Sequence, residues 1–279
     1  HFLSSFSIAL QGLLSRLEDV IYVVIWFEND YMKLNSDKCH FLVSANTHEH
    51  LWIKVGESKV WESSEEKLLG VIMENDLKFN DHLSKMCRKA GQKVSALARV
   101  TRFLPYHRKR DLLKAFIESQ FSYCPLIWMF CSRTMNRKIN HIHERALRLV
   151  YDDYNSSFEQ LLIRDNSVSI HHKNIQRVAI EMYKVVNNIS PPIMRDLFVK
   201  ANPSVTRSSN FFVHTHTNTV FKGENSLRVF GPIVWDKMLP SNLKTCDSLN
   251  EFRNAVKTWI PNNCVCRLCR QYIPDIGFV

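Results

Sequence analysis

The sequence predicts an α-rich α+β fold. Apolar residues recur at spacings of three and four along most of the chain from residue 82 onward, which is the period of amphipathic helices. Short apolar or alternating runs bounded by Asn, Asp and Gly fill residues 35–80 instead, and such runs are typical of strands. The chain has 279 residues, 45% of them apolar, which is enough for two domains of ordinary size with hydrophobic cores.

The first eighty residues combine one helix with a small β-rich module. Apolar residues spaced three and four apart predict an amphipathic helix over residues 10–24, leading into Trp26 and Phe27. Asn35 to Asp37 breaks it, and strands are predicted over residues 39–43, 51–55 and 60–61. Residues 67–73 are predicted as one buried strand that ends in a turn at residues 74–76.

Residues 82–151 predict a bundle of three helices with a basic rim. Pro105 ends the first helix, Pro125 ends a second over residues 108–123, and the third begins near residue 126, or restarts near residue 134, and runs to residue 150. The apolar residues of each helix form one stripe, which is predicted to face inward. Basic residues form separate stripes, namely Lys85, Lys89 and Lys93 on the first helix and Lys138, His141, Arg145 and Arg148 on the third.

The remaining residues predict a smaller C-terminal α/β domain. A capping box at Ser156 and Glu159 predicts a short helix through residue 162, and a long helix is predicted over residues 170–187. Pro191 and Pro192 predict another short helix to residue 198, residues 201–210 a linker, and residues 211–222 a hairpin. A helix over residues 227–238 is expected to break at Gly231 and Pro232, and a second capping box at Ser248 and Glu251 predicts a helix to residue 259.

Charge is concentrated in the predicted bundle. Residues 82–151 hold fifteen Lys or Arg and three acids, a net +12, whereas the whole chain carries +10. A basic excess confined to one helical region indicates a surface that binds a polyanion. The alternative is a solvated helical face that happens to be basic, although such faces usually carry interleaved acids.

Several classes of protein are disfavoured. The sequence has no glycine-rich phosphate loop and no nucleophile elbow, and its longest apolar run is too short to cross a bilayer, so no membrane partner is expected. Its start lacks the basic region of a signal peptide, and we expect a piece of a longer reading frame. Eight scattered cysteines favour a reducing, intracellular compartment, nuclear or cytoplasmic.

The C-terminal cysteines are the candidate metal ligands. Cys264, Cys266 and Cys269 are spaced closely enough for a turn to bring their thiolates to one Zn²⁺. A structural zinc site needs a fourth ligand, for which Cys246 is nearest in sequence and His171 or His172 are longer-range alternatives. Plain reduced thiols are the competing interpretation.

Three other groups of residues favour structural roles over chemistry. His171 and His172 lie at a helix start, where local backbone groups usually satisfy such a pair. His214 and His216 alternate on a presumed strand and lack a third ligand. Asp152 and Asp153 follow a helix, a position typical of a turn.

Several stretches, taken in order, resemble one family. They are residues 26–39 (WFENDYMKLNSDKC), 67–71 (KLLGV), 77–82 (LKFNDH), 116–125 (FIESQFSYCP) and 143–151 (HERALRLVY), followed by the terminal cysteines. Together they resemble the C-terminal half of the reverse transcriptases of non-LTR (LINE-type, jockey-like) retrotransposons. The resemblance covers nearly the whole chain from about Trp26.

The resemblance implies a domain plan and several roles. Residues 1–81 would be the remnant of a palm, with the fourth palm motif at residues 31–43 and a primer-grip hairpin at residues 65–80. Lys38 would be the auxiliary lysine near the incoming nucleotide, and Leu69 and Gly70 would lie at the turn of the primer grip. Residues 82–151 would be the helical thumb that holds a template–primer duplex, and residues 152–279 a C-terminal domain that carries the cysteines.

The departure from the family pattern limits the expected activity. The family's polymerase centre is a YADD-type pair of aspartates some tens of residues before the position of Trp26, and here no acid precedes Glu18. Two-metal phosphoryl transfer needs such carboxylates, so Mg²⁺ is expected only if an upstream catalytic palm exists. We therefore expect binding of RNA or of RNA–DNA duplex without polymerase activity. The alternative is a structural or protein-interaction module whose basic face meets an acidic partner, and the sequence leaves the oligomeric state open.

Overall fold

The structure is a computed structural model. It describes residues 22, 25–27, 29–32, 35–44, 51–55, 58–201, 211–215, 217, 223, 225–264, 266–270, 272–273 and 277–278. Helices predominate in these residues, and the strands pair as small antiparallel hairpins, so the α-rich α+β prediction is confirmed. Packing divides the chain into two compact units, residues 1–82 and 83–279. None of the described helices combines the length and apolar character needed to cross a bilayer.

Two hairpins organise the first unit. Strand β1 (Trp52–Val55) pairs with β2 (Ser58–Trp61), and β3 (Glu65–Leu68) pairs with β4 (Val71–Glu74). The buried residues Val55, Val60, Val71 and Ile72 come from these strands. The predicted helix over residues 10–24 lies largely outside the described residues, although Tyr22, Ile25, Trp26, Phe27 and Asn29 are helical.

The predicted strand over residues 39–43 is wrong. Residues 36–38 form a 3-10 turn (Ser36–Lys38) because the side chain of Asn35 accepts a hydrogen bond from the Asp37 N–H at 2.9 Å. Beyond that turn only Phe41 pairs with a neighbour, through a single bridge to Glu62. The segment is therefore held by one bridge instead of a ladder.

The predicted single strand over residues 67–73 is also wrong, because the chain reverses inside it. Leu68 pairs with Val71, and the two residues between them, Leu69 and Gly70, have φ values of 48° and 88°. Positive φ at both loop positions is what a two-residue type I′ hairpin turn requires. The turn lies where the resemblance to a primer-grip hairpin placed it, and the role in primer binding stays a prediction.

The second unit begins with the helices that the sequence predicted. They are α1 (Asn80–Val100), α2 (Tyr106–Leu112), α3 (Pro125–Trp128) and α4 (Arg133–Tyr151). Helix α2 continues through a π-helical turn (Leu113–Ile117) and a 3-10 turn (Glu118–Phe121), which together make up the predicted second helix. The carboxylate of Glu74 accepts the N–H groups of Asn80 and Asp81, both at 2.9 Å, and so satisfies the free start of α1.

The remaining elements include one long helix, against which several of the others pack. They are α5 (Phe158–Arg164), α6 (Ile170–Val186), α7 (Pro192–Arg195), α8 (Leu227–Ile233), a π-helical turn (Val234–Met238), α9 (Ser241–Lys244), α10 (Leu249–Thr258), α11 (Arg267–Arg270), and the pair β5 (Tyr272–Ile273) and β6 (Gly277–Phe278). Helix α6 contributes Ile175, Val178, Ala179 and Met182 to a core that also contains Phe252 of α10. Residues 83–151 and 152–279 thus belong to one packed unit.

Two local predictions in this unit need correction. The capping box of α5 uses Ser157 and Gln160, one residue later than predicted, because the hydroxyl of Ser156 is donated to Asp153 at 2.7 Å. Pro232 lies inside α8 without a break, since the chain passes directly into the π-helical turn.

Of the predicted hairpin over residues 211–222, the structure describes residues 211–215 and 217. Among these, Phe212 forms an isolated antiparallel bridge with Lys200. The predicted linker lies largely outside the described residues, of which it includes only Ala201.

Candidate metal centre and candidate nucleic-acid interface

Four side chains converge near the C-terminus. One ligand atom from each of His171, Cys264, Cys266 and Cys269 lies within 4.8 Å of the others, and the first three residues are buried. Nε2 of His171 is 3.2 Å from Sγ of Cys266. Sulfur atoms bound to one tetrahedral Zn²⁺ at about 2.3 Å lie about 3.8 Å apart, so an inward shift of about 1 Å or less closes the cluster around an ion.

The start of helix α6 positions the histidine. The hydroxyl of Ser169 accepts the N–H of His172 at 3.2 Å and so caps the helix, which places His171 in its first turn. Nδ1 of His171 is buried and has no hydrogen-bond partner among the described residues. Packing and the contact of Nε2 with Cys266 therefore orient this ring, whereas many metal-bound histidines also donate the second nitrogen to an acceptor.

The end of helix α10 positions the cysteines. The side-chain amide of Gln176, on α6, donates to the carbonyl of Trp259 at 2.7 Å and holds the chain where it leaves α10. Two turns follow, in which the N–H of Cys264 bonds to Pro261 at 3.3 Å and that of Cys269 bonds to Cys266 at 3.1 Å. The three thiols are thereby folded back onto the first turn of α6.

The chemistry of this cluster suits a dication. Hydrogen bonds from Cys264 and Cys269 lower the pKa of Cys266 far below its usual range, whereas the hydrogen bond with Cys266 raises the pKa of Cys264 to about 12. The sulfurs thus favour one thiolate at a time, because two buried anions in contact repel each other. A bound Zn²⁺ removes that limit and allows all three to be thiolates.

Of the candidate fourth ligands, the structure brings one, His171, to the three cysteines. His171 joins the three cysteines, while Cys246 lies elsewhere and its carbonyl accepts the hydroxyl of Tyr183 at 2.8 Å. All eight cysteines are free of disulfides. The expectation that local backbone groups satisfy His171 is not met, because one ring nitrogen has no partner among the described residues and the other faces a thiol.

A basic groove lies between helices α1 and α4. It has a volume of about 330 Å³ and is lined by Ser84, Cys87, Arg88, Lys138, His141 and Ile142. Cys87 and Ile142 are buried, whereas Arg88, Lys138 and His141 are exposed. Burial raises the pKa of the Cys87 thiol, and the nearby ammonium of Lys138 opposes that rise. None of the described residues that line the groove is acidic.

The predicted stripe on α4 divides into two parts. Lys138, His141 and Arg145 are exposed. Arg148 is different, because its guanidinium binds Glu144 at 2.6 Å and the carbonyl of Asp153 at 3.3 Å, and only 20% of its side chain is exposed. Arg148 is thus occupied by intramolecular partners and is a poor ligand for a polyanion.

The predicted stripe on α1 is exposed at Lys85 and Lys89. Lys93 is half-buried, and its Nζ lies 5.9 Å from the centroid of the Phe116 ring. Arg88, a member of neither predicted stripe, lies in the groove itself. Its position one turn of helix from Lys85 was the signal that could have selected it.

Acids outside the predicted bundle compensate part of its charge. Lys109 is buried and pairs with Asp152, and Arg110 binds Asp165 at 2.9 Å. The free positive charge of residues 82–151 is therefore smaller than the count of +12. Asp152 has a φ of 49° at the end of α4, and the carboxylate of Asp153 accepts from Asn155 and Ser156, so the turn interpretation of this pair is confirmed.

Other predicted residues take simple positions. Lys38 ends the 3-10 turn of the first unit and is exposed. Leu69, at the hairpin tip, is 83% exposed. His214 binds Asp236 at 2.8 Å, which also accepts two backbone N–H groups, so it has a structural partner, and His216 lies outside the described residues.

Comparison with known proteins adds no relative. A scan of protein-family models found no match to this chain, and searches of curated proteins and of solved structures found none either.

Proposed function

We propose that the chain binds the phosphate backbone of an RNA or RNA–DNA duplex and is part of a non-LTR retrotransposon reverse transcriptase. The observation that carries this proposal is the groove between α1 and α4, whose described lining holds two permanent cations, Arg88 and Lys138, and no acid. Its histidine, His141, lies 4.0 Å from Glu144, so the arginine and lysine charges carry the argument. Cations on a rigid helical frame contact phosphates without reading the base sequence, which is what a thumb that must follow any template needs.

The palm roles rest on the resemblance alone. In this proposal Leu69 and Gly70 contact the primer, and Lys38 lies near the incoming nucleotide when an upstream palm supplies the aspartates. The exposed Leu69 at the tip of a hairpin suits a contact of that kind, because the fold itself does not bury the side chain. By itself the chain is expected to bind a duplex without extending a primer.

We also propose that His171, Cys264, Cys266 and Cys269 hold a structural Zn²⁺. Three thiolates and one imidazole form a closed tetrahedral ligand set, which leaves no position for a substrate or a catalytic water. The ion would join the start of α6 to the chain beyond α10, and so would stabilise the unit that carries the basic groove.

A salt titration tests the duplex proposal. Replacing Arg88, Lys138 and Arg145 by Gln should weaken duplex binding at every sequence and flatten the slope of log K against log salt by up to about 2.7, at roughly 0.9 for each phosphate that is no longer neutralised. Gln preserves helix propensity, so the fold should persist. The matched control replaces three exposed cations outside residues 82–151, namely Lys200, Arg228 and Lys237.

The same assay separates the alternative function. If the groove binds an acidic protein, poly-glutamate should displace the duplex as well as unlabelled duplex of equal charge does. We expect the unlabelled duplex to compete and poly-glutamate to fail. Equal affinity and equal slope for parent and groove variant, with helicity intact, would contradict the proposal.

A further inference from the structure

A second cavity in residues 83–279 is larger and more basic than the groove. Its volume is about 740 Å³, which is ample for a small-molecule ligand. Its walls are the stretch from α2 to the following turns, the connection from α5 to α6, and the facing sides of α6 and α10. Six cations line it, namely Arg110, Lys114, Lys173, Arg177, Arg253 and Lys257. We call it the polar cleft.

The acids of the polar cleft are already paired. Only Asp165 and Glu118 carry negative charge among the described lining residues. Asp165 binds Arg110 at 2.9 Å, and Glu118 binds Lys173 at 2.7 Å. The other four cations have no salt bridge with either acid, although Glu118 is close enough to Arg177 to stabilise its charge in part. Six cations against two acids leave an excess of positive charge around one concavity, which favours an anion there.

The deepest of these cations is held by neutral groups. One guanidinium nitrogen of Arg177 donates to the carbonyl of Phe121 at 3.2 Å and to the side-chain oxygen of Asn174 at 2.9 Å. Burial lowers the pKa of Arg177, because its charge is removed from water. The hydroxyl of Ser167 also lines the cleft and is buried without a partner among the described residues. An anion would supply the missing charge and the missing acceptor.

The composition of the walls selects the class of anion. None of the described lining residues is aromatic, so the cleft offers no ring on which a nucleobase could stack. Lysine and arginine with neutral Asn, Gln and Ser side chains are the usual ligands of phosphate oxygens. The apolar residues among the described lining are Val168, Ile180 and Val256, so most of the wall is polar or charged.

From these observations we infer that the polar cleft binds a run of consecutive phosphate groups and makes no contact with a base. Two sources share this chemistry, the backbone of a single nucleic-acid strand and a free polyphosphate. The inference goes beyond the proposed duplex binding, because the cleft and the groove between α1 and α4 share no described lining residue.

The test uses a short strand of abasic deoxyribose phosphates that carries a fluorescent label. The parent chain should bind it in a one-to-one complex. Replacing Lys114, Arg253 and Lys257 by Gln should weaken binding about tenfold or more, since these side chains can then no longer make charge-assisted hydrogen bonds to phosphate. The salt slope should fall by about 2, at roughly 0.7 for each phosphate of a single strand that is no longer neutralised. All three residues are exposed, so the fold should persist.

Two controls of equal charge change separate this site from others. The variant of Lys200, Arg228 and Lys237 and the groove variant of Arg88, Lys138 and Arg145 should bind the abasic strand as the parent does. Loss of duplex binding in the groove variant is thus independent of the outcome here. A parent chain that does not bind the abasic strand, or a cleft variant with unchanged affinity, would overturn the inference.

Two further arms identify the occupant. The labelled strand is displaced in one arm by inorganic tripolyphosphate and in the other by unlabelled abasic strand. If tripolyphosphate needs the lower phosphate concentration, the occupant is a free polyphosphate; if the unlabelled strand does, it is a nucleic-acid backbone. Both results support the site. A strand with bases should bind no more tightly than the abasic strand. Much tighter binding that the cleft variant abolishes would overturn the statement that no base is contacted.

Discussion

Removal of zinc from the cluster of His171 and the three cysteines should destabilise residues 83–279. The ion would cross-link His171 to Cys266, which are 95 residues apart. In the chain-entropy model, a cross-link over a loop of that length removes about 4–5 kcal/mol of entropic stabilisation from the unfolded chain. A domain of this size loses about 2–4 °C for each kcal/mol, so the melting temperature should fall by about 8–20 °C.

The assay is a thermal melt with matched zinc measurements. The chain is melted with one equivalent of zinc and again after chelation, with far-UV circular dichroism as the signal, and released zinc is counted per chain. Cobalt in place of zinc should give the charge-transfer absorption of thiolate ligands and the bands of a tetrahedral site. Replacing Cys266 by Ser should abolish both signals, whereas replacing Cys246 by Ser should leave them unchanged, because Cys246 lies outside the cluster.

Two results would refute this reasoning. One is a chelated chain that melts at the same temperature as the zinc-loaded chain. The other is a bound ion that survives the replacement of Cys266. The first measurement needs no variant, since it compares the loaded and chelated parent chain.

Further predictions concern the hairpin turn, a buried carboxylate and catalysis. Gly70→Val should destabilise the first unit by roughly 1–3 kcal/mol, because a β-branched residue does not tolerate φ 88°; an unchanged urea midpoint would contradict this. Leu69→Asn should stabilise it by about 1 kcal/mol, since Asn tolerates positive φ and the replaced leucine is exposed; a lower midpoint would show that Leu69 packs in solution. Burial raises the pKa of Glu118, but contacts with His143 and Lys173 outweigh it and lower the pKa to about 2. Glu118 therefore contributes stability above pH 4.5 that is lost as the pH falls toward 2. Glu118→Gln should cost roughly 3 kcal/mol of unfolding free energy at neutral pH and less in acid, and a cost that stays constant across pH would contradict this. The chain should show no primer extension with Mg²⁺ or Mn²⁺, because the aspartate pair used for two-metal catalysis in the family that it resembles has no counterpart in this sequence. Incorporation above a buffer control would contradict that.

Helical periodicity made much of the second unit predictable. Buried residues of α1, among them Leu83, Ala90 and Val94, recur at the spacings from which the helix was predicted. Proline positions also placed the ends of these helices well, because the ring excludes the next turn. The hairpin at Leu69 and Gly70 escaped the same reasoning, since a continuous apolar run conceals a reversal that depends on the backbone conformation of two residues.

The candidate site was predictable only where its residues are close in sequence. The three cysteines formed a visible group, but spacing could not choose between Cys246, His171 and His172, because the choice depends on how α6 packs against α10. Arg148 was predicted to face a ligand from its place in a stripe. Its pairing with Glu144 shows that position on a helix does not reveal whether a charge is already satisfied.

The distance along the chain between His171 and Cys266 has a consequence for biosynthesis. The ribosome makes about 5–20 residues each second, so the cysteine appears about 5–20 s after the histidine. During that interval His171, at the start of α6, lacks the thiol of Cys266 that it contacts in the folded chain. A chain released early, before Cys264, keeps the basic helices but can never close the cluster. Until Cys264, Cys266 and Cys269 have been made, residues 83–279 therefore lack the cross-link that a metal ion in this cluster would provide.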